Sequence, residues 1–346
     1  MRGRGTARLT AAALIGLLGA TPAIGQTGDG RCLGNAATIV GTDGDDRIVG
    51  TRGADVVRGL DGQDRINGLG GDDRICGDDG HDTLRGGRGD DLVDGHEGAD
   101  TFFGHRGDDE LVGESGLDTM LGGDGNDRMV GGRGSELMIG GLGDDRYVGG
   151  PGNFDLASYF AAPVGVTVDL RMTTPQVTGE GTDTLAGIEG VEGSEGNDVL
   201  IGQDVPSVNG NGLFGFGGVD RIQGLEGNDF IAGGPGSEEA PAGILDGGAG
   251  NDQVFGEDAG VLGDGAGDDD LVGGTGDDYL EGGGNVTGPP QGDFADGGPH
   301  VAGDQCAGVE SAVECERFSR GTDATLRPWQ EGPHASWLAV RSRRFR

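Results

Sequence analysis

The sequence predicts an all-β chain built as a stack of short repeated coils, and three observations lead to this expectation. A nine-residue period runs without a gap through residues 41–148. Glycine accounts for 81 of the 346 residues and aromatic side chains for only 5%, so the chain lacks the side chains for two ordinary hydrophobic cores. Acidic residues outnumber basic ones by 60 to 24, giving a formal net charge of −36. A compact state must hold that charge against its own repulsion unless cations neutralise it, and a nucleic-acid partner is disfavoured.

The first 25 residues have the pattern of a secretory signal peptide. Three arginines precede an apolar run at 9–20, and small residues at 23–25 offer a cleavage site. The alternative, a buried or membrane helix, is disfavoured because the run is too short to span a bilayer. No later segment is long and apolar enough to do so, and we therefore expect a secreted, extracellular protein.

The nonapeptide unit has four nearly constant positions. Twelve consecutive units carry glycine at positions one and four and an apolar residue at position eight, and eleven carry aspartate at position six. Glycine suits a tight turn in which a Cβ would clash. The last three residues predict a short strand that points position eight inward. One inward side chain per strand makes a thin core, so the carboxylate at position six must contribute to the fold.

Position six supplies candidate ligands for a metal ion. If two units make one coil, residues eighteen apart stack, and consecutive carboxylates at strand spacing, about 4.7–4.9 Å, could share an ion. Aspartate beside turn carbonyls is the hard-oxygen ligand set that Ca²⁺ takes. Without cations the same columns are ladders of like charge, so the sequence predicts folding coupled to calcium binding. One column is Asp46, Asp64, Asp82, Asp100 and Asp118, and the other is Asp55, Asp73, Asp91, Asp109, Asp127 and Asp145.

These units resemble the consensus GGxGxDxUx of hemolysin-type, or repeats-in-toxin (RTX), calcium-binding repeats. The resemblance covers most of residues 41–148 and returns from Gly193 to about Gly284. It implies a right-handed parallel β-roll, a β-solenoid, with calcium in the turns. Such families often use a C-terminal export signal, whereas the pattern here is N-terminal.

The pattern weakens in three places. Glu136 replaces aspartate in one unit, and its extra methylene is expected to displace the carboxylate. Residues 156–192 lack the nonapeptide but alternate like a strand, and we predict that they continue the roll with an outgrown loop near Met172–Gly181; an independent small domain is the alternative. The second array is interrupted, so fewer and weaker calcium sites are expected there. Its candidate ligands are Asp198, Asp220, Asp229, Asp252, Asp269 and Asp278.

The predicted organisation follows these changes in pattern. The segments are a signal peptide at 1–25, an N-terminal cap at 26–40, the first array at 41–149, an irregular β insert at 150–192, the second array at 193–300, a C-terminal cap with a cysteine pair at 301–316, and a basic, disordered tail at 317–346.

Four cysteines in an exported chain favour two disulfides over metal ligation or free thiols. Three connectivities are possible. We prefer local pairing, Cys32 with Cys76 and Cys306 with Cys315, because each bridge would clip one end of the repeat region.

No enzyme is recognisable in the sequence, which has no HExxH, GxSxG or P-loop motif. The histidines, expected on the surface, are His81, His96, His105, His300 and His334. The main enzymatic alternative is a calcium-dependent polysaccharide lyase or epimerase on a parallel β-coil, but such a site needs a base in a groove and longer irregular coils. The favoured function is a calcium-binding structural or adhesion module.

A stripe of apolar residues suggests a contact surface. From the seventh unit onward position nine is always apolar, and strand alternation should turn it outward. We expect the insert to cover one stripe and a second molecule the other, with strand propensity alone as the alternative. Self-association or an extracellular polymer is therefore a possible partner interaction. The six residues are Phe103, Val112, Leu121, Val130, Ile139 and Val148.

Overall fold

The structure, a computed structural model, describes residues 31–151, 154–204, 210–234, 243–249 and 252–255, together with the strands from residue 260 onward given below. All regular secondary structure in these residues is β-strand. The predicted signal peptide and most of the basic tail lie outside the described residues.

The strands are short and follow one another at nearly regular intervals. In chain order they are β1 (Arg31–Cys32), β2 (Asn35–Ala36), β3 (Ile39–Val40), β4 (Arg47–Val49), β5 (Val56–Arg58), β6 (Arg65–Asn67), β7 (Arg74–Asp79), β8 (Thr83–Arg88), β9 (Leu92–Glu97), β10 (Thr101–Arg106), β11 (Glu110–Gly116), β12 (Thr119–Asp124), β13 (Arg128–Gly134), β14 (Leu137–Leu142), β15 (Arg146–Val148), β16 (Leu156–Ser158) and β17 (Thr167–Asp169). They continue with β18 (Gln176–Val177), β19 (Thr182–Ala186), β20 (Gly190–Glu192), β21 (Val199–Ile201), β22 (Gly212–Phe214), β23 (Arg221–Glu226), β24 (Phe230–Ala232), β25 (Gly243–Ala249), β26 (Gln253–Phe255), β27 (Gly260–Gly263), β28 (Asp270–Val272), β29 (Tyr279–Glu281), β30 (Phe294–Asp296), β31 (Gln305–Ala307), β32 (Ser311–Val313) and β33 (Arg317–Ser319).

Successive units of the first array alternate between two parallel sheets. Ile48 pairs with Ile66 in one sheet, and Val57 pairs with Ile75 in the other. Each coil therefore contains two nonapeptides, and the predicted stacking of residues eighteen apart is confirmed. The chain is a parallel β-solenoid, the fold class that the sequence predicted.

The sheets extend along the whole described length of the roll. The even-numbered strands from β4 to β32, with the exception of β18, build a sheet with fourteen described strands. The opposite face is divided into a sheet of nine strands, from β3 to the hairpin β18–β19, and a sheet of eight, from β17 to β33. Strand β33 places residues 317–319, assigned from the sequence to a disordered tail, in the latter sheet.

The core is a single file of side chains from each sheet, as the thin-core argument predicted. Position eight of every unit in the first array is buried, and all but Ile48 are fully so. Larger side chains occur toward the insert, where the Tyr147 and Tyr159 rings lie 5.9 Å apart. Because this apolar file is so narrow, the buried position-six carboxylates lie directly beside it.

The insert continues the roll. Strand β16 pairs with β14 and β20, and β19 pairs with β15, so both sheets are carried forward. The antiparallel pair β18–β19 closes the nine-stranded sheet, while β17 pairs with β21 and begins the eight-stranded one. The outgrown loop falls between β17 and β19, in agreement with the sequence prediction.

The N-terminal hairpin β1–β2 is attached to the roll by a disulfide between Cys32 and Cys76. Strand β1 contacts β5 and β7, and both cysteines are buried. This predicted pairing is confirmed. The Cys315 residue and the Cys306 side chain lie outside the described part of the chain, so their pairing stays a prediction.

The apolar stripe at position nine is half-buried along its whole length. On the fourteen-stranded sheet, Phe103 and Leu121 line an open groove together with Leu69, and the Arg85 guanidinium lies 4.7 Å above the Phe103 ring. Residues of the neighbouring strands thus cover part of each position-nine side chain. Self-association through the stripe stays a prediction.

Candidate metal centre

The position-six carboxylates form two continuous columns, one along an edge of each sheet. In both, the backbone N–H of one aspartate donates a hydrogen bond to Oδ1 of the aspartate in the next coil, with N–O distances of 2.7–2.8 Å. The predicted candidates of the first array are therefore brought together in the predicted order. Each link fixes one oxygen of a carboxylate and leaves the other, Oδ2, to face the turn.

In the interior of the columns this second oxygen is buried and has no hydrogen-bond partner. An unpaired buried carboxylate oxygen is costly, so the arrangement calls for a positively charged or donor group. The first-array residues concerned are Asp64, Asp73, Asp82, Asp91, Asp100, Asp109, Asp118, Asp127 and Asp145.

Backbone carbonyl oxygens converge on the same place. A Cβ added to Gly59, at position one, would collide with Asp64 Oδ2 and lie 2.6 Å from the carbonyl oxygen of Gly77 in the next coil. The same two kinds of oxygen lie beside Gly104, where they come from the Gly122 carbonyl and from Asp109 Oδ2. Glycine at position one keeps this space free. Carboxylate and carbonyl oxygens from adjacent coils form the donor set that suits Ca²⁺, and the residues present therefore fit the ion.

The ends of the columns differ from their interior. Asp46 Oδ2 accepts hydrogen bonds from the Thr42 N–H and hydroxyl, and Asp55 Oδ2 accepts one from the Thr51 N–H. At the other end of the second column, the Thr178 hydroxyl donates to Asp183 Oδ2. A threonine therefore satisfies a terminal carboxylate that has no further coil beyond it.

Backbone conformation at position two accounts for this difference at Asp46 and Asp55. The interior residues have left-handed φ angles, for example +84° at Leu60 and +79° at Leu69. Thr42 and Thr51 do not have a left-handed backbone, and their N–H groups donate to the carboxylate four residues later. Sequence analysis missed this role of position two, although threonine there in only the first two units was an available signal.

Burial raises the pKa of the interior carboxylates. The pKa of Asp100, Asp109 and Asp145 rises to about 8, chiefly through desolvation and secondarily through repulsion by carboxylates in adjacent coils. The N–H donated to Oδ1 opposes this rise only in part. The pKa of Asp82 and Asp91 rises to about 7 for the same reasons. Without a cation, the columns therefore resist ionisation.

Glu136 remains in its column, which corrects the sequence expectation that its extra methylene would displace it. The side chain is fully buried, and neither carboxylate oxygen has a hydrogen-bond partner. A Cβ at Gly131 would lie 2.5 Å from Glu136 Oε2, where other units place an aspartate oxygen. Burial, followed by the neighbouring Asp155, raises the pKa of Glu136 to about 10.

Three carboxylates of the insert extend the columns and were missed by sequence analysis. Asp145 N–H donates to Asp183 Oδ1 at 2.8 Å, Glu136 N–H donates to Asp155 Oδ1 at 3.1 Å, and Asp155 N–H donates to Glu189 Oε2 at 2.9 Å. The signal for Asp183 was the sequence Gly-Thr-Asp-Thr-Leu at 181–185, which retains positions four, six and eight of the unit.

The second array repeats the geometry over a shorter stretch. Asp198 N–H donates to Asp220 Oδ1, and Asp229 N–H donates to Asp252 Oδ1. Asp198 Oδ2 already accepts a hydrogen bond from the Ser194 N–H, as at the threonine-capped ends. Asp229 Oδ2 is buried without a partner. Asp269 and Asp278 lie outside the described residues.

Comparison with known families gives an independent result. The profile of the RTX calcium-binding nonapeptide repeat, which holds four copies of the unit, matches residues 40–75, 77–111, 103–135, 121–153, 214–238, 244–259 and 264–285. These segments cover more than half of the chain. The chain belongs to the RTX calcium-binding repeat family. It is thus a calcium-binding repeat protein on a β-solenoid, and no curated protein matches it significantly.

The RTX repeat profile leaves residues 154–213 unmatched, although the carboxylate columns continue there through Asp155 and Asp183. None of the described residues forms a helix long and apolar enough to cross a membrane.

The histidines of this RTX repeat protein are not all on the surface. His81 and His105 are exposed, as expected, but His96 is buried, with 8% of its surface accessible, which corrects the sequence expectation. His300 and His334 lie outside the described part of the chain.

Proposed function

We propose that this protein is secreted, that its repeats fold upon binding Ca²⁺ through the carboxylate columns, and that the folded roll is an extracellular structural or adhesion module. Secretion is supported by the N-terminal sequence pattern and by the family, whose members are typically secreted. The elongated repeat architecture and the lack of a recognisable catalytic motif support a non-enzymatic role.

One observation carries the proposal: interior carboxylates keep a buried, partnerless oxygen, whereas those at three column ends are satisfied by threonine. Bound calcium would supply the positive charge that lets adjacent carboxylates ionise. We therefore assign the ligands to Asp64, Asp73, Asp82, Asp91, Asp100, Asp109, Asp118, Asp127 and Asp145, with Glu136 and Asp155, and in the second array to Asp229. Asp220 and Asp252 are assigned with them because each accepts the same N–H link from the preceding coil.

The remaining predicted ligands fall into two groups. Asp46, Asp55 and Asp198 are expected to bind more weakly, because a threonine or serine N–H already occupies Oδ2. Asp269 and Asp278 stay predicted ligands on the basis of the sequence alone.

The substitution Asp109→Asn tests the assignment. Asparagine keeps an oxygen for the Asp91 N–H but removes the charge at Oδ2. In saturating calcium we expect the free energy of unfolding to fall by about 1–3 kcal/mol, since a charged ligand is lost. The calcium concentration at half-folding should rise accordingly. Denaturant unfolding measures the free energy, and a calcium titration monitored by circular dichroism measures the calcium concentration at half-folding.

Asp108→Asn is the matched control, because Asp108 is the neighbouring residue, carries the same charge and is exposed. Its calcium midpoint should stay close to that of the unmodified protein. Equal shifts for the two variants would show that net charge, not the column, governs calcium binding.

A further inference from the structure

A second cluster of ionisable side chains lies outside the calcium columns, on the outer face of the nine-stranded sheet. Asp94 and His96 are two residues apart on β9 and share a face of the strand. Asp78 on β7 pairs with His96 in the ladder, and Glu114 lies on β11, on the other side of β9. Within the first array, Asp94 is the one acidic residue at position nine. His96 at position two is also the one histidine there whose counterparts in the adjacent coils, Asp78 and Glu114, are acidic.

The cluster is buried and incompletely satisfied. Asp94 is 1% exposed, and its Oδ1 has no hydrogen-bond partner. This atom lies 3.8 Å from His96 Nδ1, and Glu114 Oε2 lies 3.6 Å from the same nitrogen. One nitrogen and two carboxylate oxygens thus converge within 4.8 Å of one another. The buried, partnerless oxygen of Asp94 is aimed at this point.

The ligand chemistry differs from that of the calcium columns. Calcium takes six to eight oxygen ligands, roughly twice what this cluster offers, and imidazole is not among its preferred donors. Imidazole with carboxylates suits zinc and related transition-metal ions. A tetrahedral zinc ion with bonds of about 2.0–2.2 Å holds its ligand atoms about 3.3–3.6 Å apart, close to the two distances of 3.6 and 3.8 Å from His96 Nδ1 to the carboxylate oxygens.

The surroundings also suit a bound transition metal. Asp78 Oδ1 lies 3.8 Å from His96 Nε2, on the opposite side of the ring, and Asp78 in turn accepts a hydrogen bond of 2.5 Å from Arg58 Nε. A carboxylate behind the second ring nitrogen is the usual support of a metal-binding histidine. The Glu114 side chain is 30% exposed, so an ion could enter from that side.

We propose that Asp94, His96 and Glu114 form a binding site for one divalent transition-metal ion of the zinc class, separate from the calcium columns. Asp78 and Arg58 position His96 and do not bind the ion. Cys76, which carries the disulfide to the N-terminal hairpin, is the neighbour of Asp94 in the ladder. The metal would tie the neighbouring strands β9 and β11 of the nine-stranded sheet together.

The test is a zinc titration of the full chain, folded in excess calcium, by isothermal titration calorimetry. Calcium keeps the columns filled, so zinc binding there is suppressed. We expect the unmodified chain to bind one zinc ion. His96→Gly should lower the zinc affinity by about a hundredfold or more, and Asp78→Asn should lower it by about tenfold. Glycine suits position 96, where φ is +68°, and circular dichroism in calcium verifies the fold.

His105→Gly is the matched control. His105 also occupies position two with a left-handed φ of +79°, but its ladder neighbours are Gly87 and Gly123. The His105→Gly variant should bind zinc as tightly as the unmodified chain does. Glu114→Gln, at a partly exposed position, should lower the zinc affinity as His96→Gly does. If the unmodified chain binds no zinc in calcium, or if His96→Gly and His105→Gly bind it equally, the cluster is a network of polar side chains that holds no metal and the proposal is wrong.

Discussion

In the first array, position two of the repeat controls the state of the carboxylate four residues later. Where the backbone is left-handed, as at Leu60 and Leu69, the N–H turns away and Oδ2 is left without a partner. Where threonine stands in another conformation, its N–H occupies Oδ2. A local backbone choice at one residue therefore separates the interior ligands of the first array from the carboxylates at its N-terminal end.

Left-handed backbone at residues other than glycine carries a cost that substitution should relieve. Leu69 has φ of +79° and is 42% exposed. A left-handed backbone conformation destabilises a residue with a side chain by roughly 1–2 kcal/mol. Glycine removes this strain, but it also loses more conformational entropy on folding, which offsets part of the gain. Leu69→Gly should raise the free energy of unfolding in calcium by about 0.5–1 kcal/mol, as measured by denaturant unfolding.

Leu142 provides the comparison, because it is 55% exposed but does not have a left-handed backbone. Leu142→Gly should lower the stability by about 0.5–1 kcal/mol. A stabilisation of similar size in both variants would contradict the assignment of strain to position two.

At the scale of elements, the N-terminal cap depends on one covalent link. The Cys32–Cys76 disulfide joins residues 44 apart in sequence, and a loop of this length restricts the unfolded chain. Cys32→Ala with Cys76→Ala should lower the free energy of unfolding in saturating calcium by about 4 kcal/mol. The unmodified chain under reducing conditions should show the same loss. Unchanged stability in both experiments would mean that the cap is dispensable.

Strict periodicity made most of the fold predictable from the sequence. The constant spacing of glycine, aspartate and the apolar residue fixed the register of eighteen, the inward position eight and the edge on which each carboxylate lies. Alternation around Val166 and Val168 was enough to place the insert in the roll, and both side chains are buried there.

The misses share a physical reason, which is that they depend on neighbours in adjacent coils. Glu136 stays in its column because the space beside Gly131 accepts a longer side chain, and Asp155 reaches its column after a local change of register. His96 is buried by residues of the strands on either side, eighteen positions away in the sequence. The unit by itself does not reveal these contacts.

At the scale of the whole molecule, the raised carboxylate pKa values predict how the calcium-free fold responds to pH. These carboxylates bind protons more tightly in the folded state, where their pKa values are about 6 to 8, than an ordinary aspartate does, with a pKa of 3.8. Their contribution to stability is complete below about pH 4 and is lost as the pH rises through 8. In a chelator, β-structure should therefore be greater at pH 4.5 than at pH 8, as circular dichroism would show.

Saturating calcium should remove this dependence between pH 6 and 8, because the bound ion keeps the columns ionised. A calcium-free chain that gains β-structure as the pH rises from 4.5 to 8 would contradict the assigned direction of the pKa shifts.

The central claim is that the net charge of −36 and the thin core make the fold depend on calcium. The most direct measurement is a calcium titration of the chain at neutral pH, with circular dichroism for β-structure and small-angle X-ray scattering for size. We expect an expanded chain in chelator that becomes compact and β-rich in calcium, while magnesium at equal concentration has little effect, since it sheds water reluctantly and demands a small octahedral site. A compact, β-rich chain in chelator at ordinary salt, or equal folding by the two ions, would contradict the account.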